Sequence, residues 1–183
     1  MDAAVILYGP PASGKDTITD AMIAANPAFQ LFRRLKVGTG RTATYRMTTF
    51  DHVAALENSG DVIWSNSRYD ATYAVDRPEL NRMVNADQIP VLHLGQVEAI
   101  EAVLAAMPHL RWTTVELWCP RDIAEQRIRA RTTGDTDARL AAWDATVAIP
   151  QGMADLRIDT SAHSPAESAQ QILHVVESSC HST

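Results

Sequence analysis

Nine consecutive residues near the start of the chain have the types and spacing needed to hold a polyphosphate: Gly9, Pro10, Pro11, Ala12, Ser13, Gly14, Lys15, Asp16 and Thr17. Glycine at both ends of the stretch lets the chain curl until successive backbone N–H groups converge, and lets an anion come close. A helix opening near Gly14 adds its positive end and its unpaired N–H groups. Lys15 can then reach over the terminal phosphates. The apolar run from Ala3 to Tyr8 precedes the stretch and a helix-patterned run follows it. That is the strand–loop–helix setting of a phosphate-binding P-loop. A tight turn with an incidental lysine would not need all of these features to agree. The expectation is binding of a nucleoside triphosphate, with ATP and Mg2+ as cofactors.

After the lysine comes Asp16, and the hydroxyl follows one place later at Thr17. Both are candidates to hold the metal. Asp16 could bind it directly, hold a metal-bound water, or simply cap the helix N-terminus. No apolar strand ends in the Asp or Glu with which hydrolytic P-loop proteins hold magnesium, since Val91–Leu94 runs into Gly95 and Gln96. His93, inside that strand, reads as a hydrogen-bonded core residue more readily than as a base.

Phosphoryl transfer depends on positioning and on neutralising the charge of the transferring group, so cations are needed at three places. Lys15 serves the donor phosphates. Arg33, Arg34, Lys36 and Arg41 follow a strand that should end at the same sheet edge and serve the acceptor. Arg127 and Arg131 are four residues apart on one helix face, and Arg139 lies beyond a segment without apolar anchors, residues 131–135. Arg131 and Arg139 therefore read as cations of a lid that closes over the site. Arg121 and Arg129 read as solvated helix charges, with Glu125–Arg129 an ordinary surface pair.

These residues are spread along alternating strands and helices, the pattern of an α/β chain with a parallel sheet and helices on both faces. Strands are predicted at Ala3–Tyr8, Phe29–Val37, Pro90–Leu94, Trp112–Trp118 and Leu156–Ile158, and helices at Lys15–Ala25, Gln96–Met107, from Pro120, from Thr136 and from Pro165. Ser164-Pro165-Ala166-Glu167 is a capping box, and Asp76-Arg77-Pro78-Glu79 reads as a second one. Residues 50–58 form a short helix, and Asp61–Ser65 with Tyr69–Val75 an antiparallel flap. The alternation breaks over about 30–85, an inserted acceptor-binding lobe, and the lid covers about 127–142. The whole reads as a single domain of 183 residues.

A net charge of −6 argues against nucleic-acid binding, which needs a basic face. No apolar run is long enough for a membrane span, and two cysteines are too few for a disulfide framework. A cytoplasmic enzyme with a small-molecule partner is expected, with its oligomeric state open.

With these motifs, the chain resembles the guanylate kinase branch of the nucleoside monophosphate kinases and is similar to the ribose 1,5-bisphosphate phosphokinases, whose loop also runs Lys-Asp-hydroxyl. Tyr45 to Leu56 aligns with the family's Tyr-x-Phe strand and short helix. Tyr69 to Val75 is similar to its acceptor-contacting Tyr-Tyr-Gly segment, with Tyr73 at the phosphate-binding tyrosine. Arg127–Arg131 and Ala138–Leu140 resemble its lid arginine motifs, and Asp159-Thr160-Ser161 falls where the family contacts adenine. Trp64 stands where those kinases read guanine with a Glu, and could stack on another ring or fill the lobe. The resemblance implies a P-loop kinase fold in which Arg34, Lys36, Arg41, Tyr45, Trp64 and Tyr73 bind the acceptor, and Arg127 and Asp159 join the P-loop in binding ATP.

The expected activity is transfer of the γ-phosphoryl of Mg–ATP to a phosphate of a small acceptor, a nucleoside monophosphate or analogue. An ionised phosphate acceptor needs no general base. A sugar phosphate or a hydroxyl of a specialised metabolite is the alternative acceptor. A hydroxyl would call for a carboxylate base in the lobe, for which Asp51, Asp61, Asp70 and Asp76 are candidates. A non-catalytic protein-binding module of the same fold is a further alternative, disfavoured by the retained Lys15 and lid arginines.

Overall fold

The computed structural model describes residues 2–40, 42–68, 70–131 and 135–180. Arg41, Tyr69 and residues 132–134, all named above, lie outside them. The elements run β1 (Ala3–Tyr8), α1 (Lys15–Ala25), β2 (Phe29–Leu31), β3 (Leu35–Gly38), β4 (Arg46–Met47), α2 (Phe50–Asn58), β5 (Val62–Arg68) and β6 (Ala71–Asp76). They continue with α3 (Arg77–Asn85), β7 (Ile89–Leu94), α4 (Val97–Ala106), β8 (Arg111–Trp118), α5 (Arg121–Ala130), α6 (Thr136–Asp144), β9 (Leu156–Asp159) and α7 (Pro165–Cys180).

β1 is apolar at every position and buried throughout, so it needs cover on both faces. It lies at the centre of a five-stranded parallel sheet ordered β2-β7-β1-β8-β9. Because side chains alternate along a strand, Ala4, Ile6 and Tyr8 face one core with Leu80 and Met83 of α3 and Ile100 and Val103 of α4. Ala3, Val5 and Leu7 face the other, with Ile18 and Met22 of α1 and Ile172 and Val176 of α7. The predicted parallel sheet flanked by helices is present. Its strands all point one way, so their carboxyl ends bring the P-loop, residues 32–34, His93 and Thr160 to a single edge, where open α/β sheets bind ligands.

A second, four-stranded sheet ordered β4-β3-β6-β5 occupies residues 35–76. The predicted antiparallel flap is its β5–β6 pair. Two expectations are corrected here. The strand predicted over Phe29–Val37 is two strands in two sheets: β2 pairs with β7, whereas β3 pairs with β6 and β4. The break comes where Phe32 buries its ring in the core and its N–H donates to Val91 O at 2.9 Å. Asp76 does precede α3, but its carboxylate makes no cap and instead binds the Arg46 guanidinium. For a carboxylate this deeply buried, a charged partner outweighs a backbone amide. The Ser164 capping box forms as predicted, Ser164 Oγ accepting from Glu167 N at 3.2 Å and the Glu167 carboxylate from Ser164 N at 2.8 Å.

Arg46 also donates to Arg33 O at 2.8 Å and lies over the Phe32 ring, 5.7 Å from its centroid. It thereby ties β4 to both β6 and the strand junction. Arg46→Met is expected to cost about 3 kcal/mol in urea unfolding, because Asp76 would be left buried without its cation.

Candidate active site

Gly9 adopts φ +154°, and an added Cβ there would sit 2.2 Å from Leu117 O. Only glycine lets β1 turn so close to the end of β8. Gly14 closes the curl at φ +93° and serves as the N-cap of α1. Within the curl Ser13 N donates to Pro10 O at 3.3 Å. Lys15 Nζ donates to Gly9 O at 2.7 Å, Pro10 O at 2.8 Å and Ser13 Oγ at 3.2 Å. The amine thus lies across the loop it would bridge to the phosphates. Burial is the main reason its pKa is pushed down to about 8; Asp16 raises it, and Arg34 and Arg131 lower it further.

Phosphate oxygens around Nζ would favour its charged form, so the bound state holds the proton at higher pH than the free state does. ATP affinity is therefore expected to be full below pH 8 and to fall as pH rises through it. The dissociation constant should be about tenfold weaker near pH 9 than near pH 7. Calorimetry across that range checks this, and Lys15→Met should abolish the slope.

Two cavities meet over the loop and share Ala12, Gly14 and Arg131. The first holds Lys15 and Asp16 on the loop side, Leu31, Phe32, Arg34, Thr44 and Tyr45 opposite, His93 from β7, and Arg131 and Arg139. The second lies between α1, α5 and the β9–α7 turn, and is lined by Thr17, Ile18, Arg127, Ala130, Thr160, His163, Pro165 and Ser168. Ile128 of α5 and Leu140 of α6 pack with Ala12, which ties both helices to the P-loop.

Beside the first cavity stands a cationic aromatic cluster. Lys36 lies directly across the β3–β6 ladder from Tyr73. The Tyr45 and Tyr73 rings are 5.2 Å apart between centroids. The Arg34 guanidinium lies 5.2 Å from the Tyr73 centroid and 5.8 Å from that of Tyr45. Lys36 Nζ is 5.3 Å from the Tyr45 centroid and 5.6 Å from the Tyr73 one. Lys36 is only 2% exposed, and burial lowers its pKa. Aromatic faces offset part of the cost of holding two cations so near each other.

Of the candidates named from sequence, Pro11 to Asp16, Arg34, Tyr45, Arg131 and Arg139 line the first cavity. Lys36 and Tyr73 form the wall behind Arg34 and Tyr45, and the Gly9 and Pro10 carbonyls hold Lys15. Arg139 also pairs with Asp135 at 2.8 Å. Arg33 is exposed and lines neither cavity.

The structure places the remaining candidates as follows. Thr17 donates its hydroxyl to Gly14 O at 2.9 Å and faces the second cavity, away from Lys15, because it is one residue further round the helix than Asp16. Trp64 packs against the core beneath β5 and lines neither cavity. Asp159 turns its carboxylate onto Ser161, accepting from N at 2.8 Å and from Oγ at 2.6 Å, and these bonds hold its pKa low. Its neighbours Thr160 and His163 line the cavity instead. Arg127 donates to Ala12 O at 3.2 Å, Thr160 Oγ1 at 3.0 Å and Thr160 O at 2.7 Å, clasping the P-loop to the β9–α7 turn while lining the second cavity. His93 is not a core residue but faces the first cavity beside Asp16. Asp51, Asp61, Asp70 and Asp76, the proposed bases, line neither cavity. Sequence reading missed Thr44, His163 and Ser168. His93 carried one usable signal, its place at the carboxyl end of a parallel strand.

Among the described residues no group of three or more His, Cys, Asp and Glu could hold a metal. A lone carboxylate beside the phosphate lysine nevertheless fits Mg2+, which keeps most of its water and takes its remaining oxygens from phosphates. Among the described residues no helix is long and apolar enough to cross a membrane.

The fold is similar to that of guanylate kinase from Anaplasma phagocytophilum, at 13% identity and a TM-score of 0.66, covering 99% of this chain and 87% of that one. It is also similar to a gluconokinase from Sinorhizobium meliloti 1021, at 15% identity and a TM-score of 0.55, covering 97% and 93%. No curated protein matches the sequence. Residues 3–177 match the family described as chloramphenicol phosphotransferase-like protein. With its P-loop, its paired cavities and a family match over nearly its whole length, the chain belongs to the chloramphenicol phosphotransferase-like family and is a P-loop kinase phosphotransferase.

Proposed function

We propose that the enzyme transfers the γ-phosphoryl of Mg–ATP to a phosphate already carried by a small acceptor, with nucleoside monophosphates and their analogues the first class to test. The observation that carries this reading is the cluster of Arg34, Lys36, Tyr45 and Tyr73, which presents one cation and one phenol, Arg34 and Tyr45, to the first cavity and backs them with a second of each. A phosphate on the acceptor would meet the Arg34 guanidinium at the cavity wall with a charge-assisted hydrogen bond.

On this reading the second cavity takes the nucleoside end of ATP, between Arg127 and the Thr160–Pro165 turn. Lys15 and the P-loop N–H groups hold the β- and γ-phosphates. Arg131, at the junction of the two cavities, and Arg139 neutralise charge on the transferring group. Asp16 would hold Mg2+, which would supply further neutralisation of phosphate charge. The segment 30–85 acts as the acceptor lobe, and 127–142 as a lid that excludes water.

A second reading has support in the family description and in Asp16, the one carboxylate among the residues lining the first cavity. In it the acceptor is a hydroxyl and Asp16 accepts its proton. One assay separates the two: purified enzyme with Mg–ATP against common nucleoside monophosphates, ribose 1,5-bisphosphate and unphosphorylated nucleosides, scored by ADP and product mass. A new phosphoanhydride on a monophosphate supports the first reading. Turnover confined to unphosphorylated acceptors overturns it in favour of the second.

A further inference from the structure

His93 and Thr19 have no part in the reading above, yet they flank the carboxylate on which its metal depends. Asp16 and Thr19 are three residues apart on α1 and share a face. β7 presents His93 to that face. The imidazole Nε2 lies 2.7 Å from Thr19 Oγ1, and Nδ1 lies 3.5 Å from Asp16 Oδ1. Thr19 is buried, the His93 side chain is 14% exposed and that of Asp16 35%. The ring is thus held between a buried hydroxyl and a carboxylate at the cavity edge.

The neighbours decide the tautomer. A bare lone pair on Nδ1 would repel the Asp16 carboxylate, whereas an N–H there attracts it. An Nδ1–H tautomer, with the Thr19 hydroxyl donating to Nε2, satisfies both of these neighbours. The need for such a hold is electrostatic. Lys15, Arg34, Arg131 and Arg139 line the same cavity, and each would draw a loosely held carboxylate away from the nucleotide.

We propose that His93 is a positioning residue that keeps Asp16 turned to hold the divalent cation accompanying the nucleotide, with Thr19 fixing the tautomer that lets it do so. This rests on the reading of Asp16 as the metal-holding carboxylate.

The test is calorimetry of ATP binding with and without Mg2+, which reads the metal-dependent gain in affinity independently of turnover. His93→Ala is expected to reduce that gain about tenfold while leaving metal-free ATP binding unchanged. His93→Asn, which keeps an N–H near the position of Nδ1, should restore most of it, and His93→Leu should not. Thr19→Val should move the gain in the same direction by a smaller factor. Asp16→Asn should remove it. If Asp16→Asn leaves the gain intact, the metal reading of Asp16 falls and this proposal with it. If Asp16→Asn removes the gain but His93→Ala and Thr19→Val match the parent protein, positioning alone is overturned. Equal weakening of metal-free and metal-bound ATP in His93→Ala would mark a merely structural histidine and also overturn it.

Discussion

Lys15→Ala is expected to lower turnover about a thousandfold while leaving the protein folded, because its amine is the cation best placed to stabilise charge on the transferring phosphoryl group. The loop does not need the amine for its shape. Gly9 takes a backbone conformation that other residues rarely adopt, Gly9 N donates to Leu94 O and Ser13 N to Pro10 O, each at 3.3 Å. What the amine does add is charge in a nearly dry site, where burial has already lowered its pKa to about 8. Removing it relieves that desolvation, so the midpoint of thermal unfolding should not fall. Steady-state kinetics with a thermal melt on the same preparation checks both halves. Unchanged turnover would exclude the mechanism and return attention to a binding module that has retired from catalysis.

Arg34→Ala should act on the acceptor and not on the donor. The guanidinium lines the first cavity opposite Lys15 and lies over both tyrosine rings. Loss of a desolvated cation facing a phosphate is expected to lower kcat/KM for the acceptor about a hundredfold. The dissociation constant for ATP should change far less, since Arg34 lies over the Tyr45 and Tyr73 rings and lines only the first cavity. Lys36→Met provides a second view of the same site. It should raise the acceptor KM in the same assay, by a smaller factor because Lys36 lies behind Arg34 and Tyr45 and does not itself line the cavity. Competition by a phosphate-free analogue would be insensitive to both changes. An enzyme whose acceptor KM ignores Arg34→Ala and Lys36→Met would not be using this wall for a phosphate, and the hydroxyl reading would take its place.

The sequence by itself determined the features whose causes lie within a turn or two of chain. The P-loop is one, because its curl needs only two glycines between a strand and a helix start. The Ser164–Glu167 capping box is another, closed within three residues. The alternation of apolar strands and amphipathic helices was enough to require a sheet covered on both faces, and so to bring Lys15, Arg34, Arg131 and Arg139 to one edge. Tertiary structure alone decided the partners of side chains that could satisfy themselves in more than one way. Asp76 had a helix start within reach and took Arg46, thirty residues away. His93 lay in an apolar strand and met Thr19, 74 residues earlier. Thr17 and Trp64 were candidates by motif for the metal and acceptor sites, with filling the lobe the alternative for Trp64; here the Thr17 hydroxyl bonds its own helix start and the Trp64 ring packs against the core. Local pattern sets which way a backbone runs; which group a buried polar or aromatic side chain meets depends on packing between elements, and no short window of sequence contains that information.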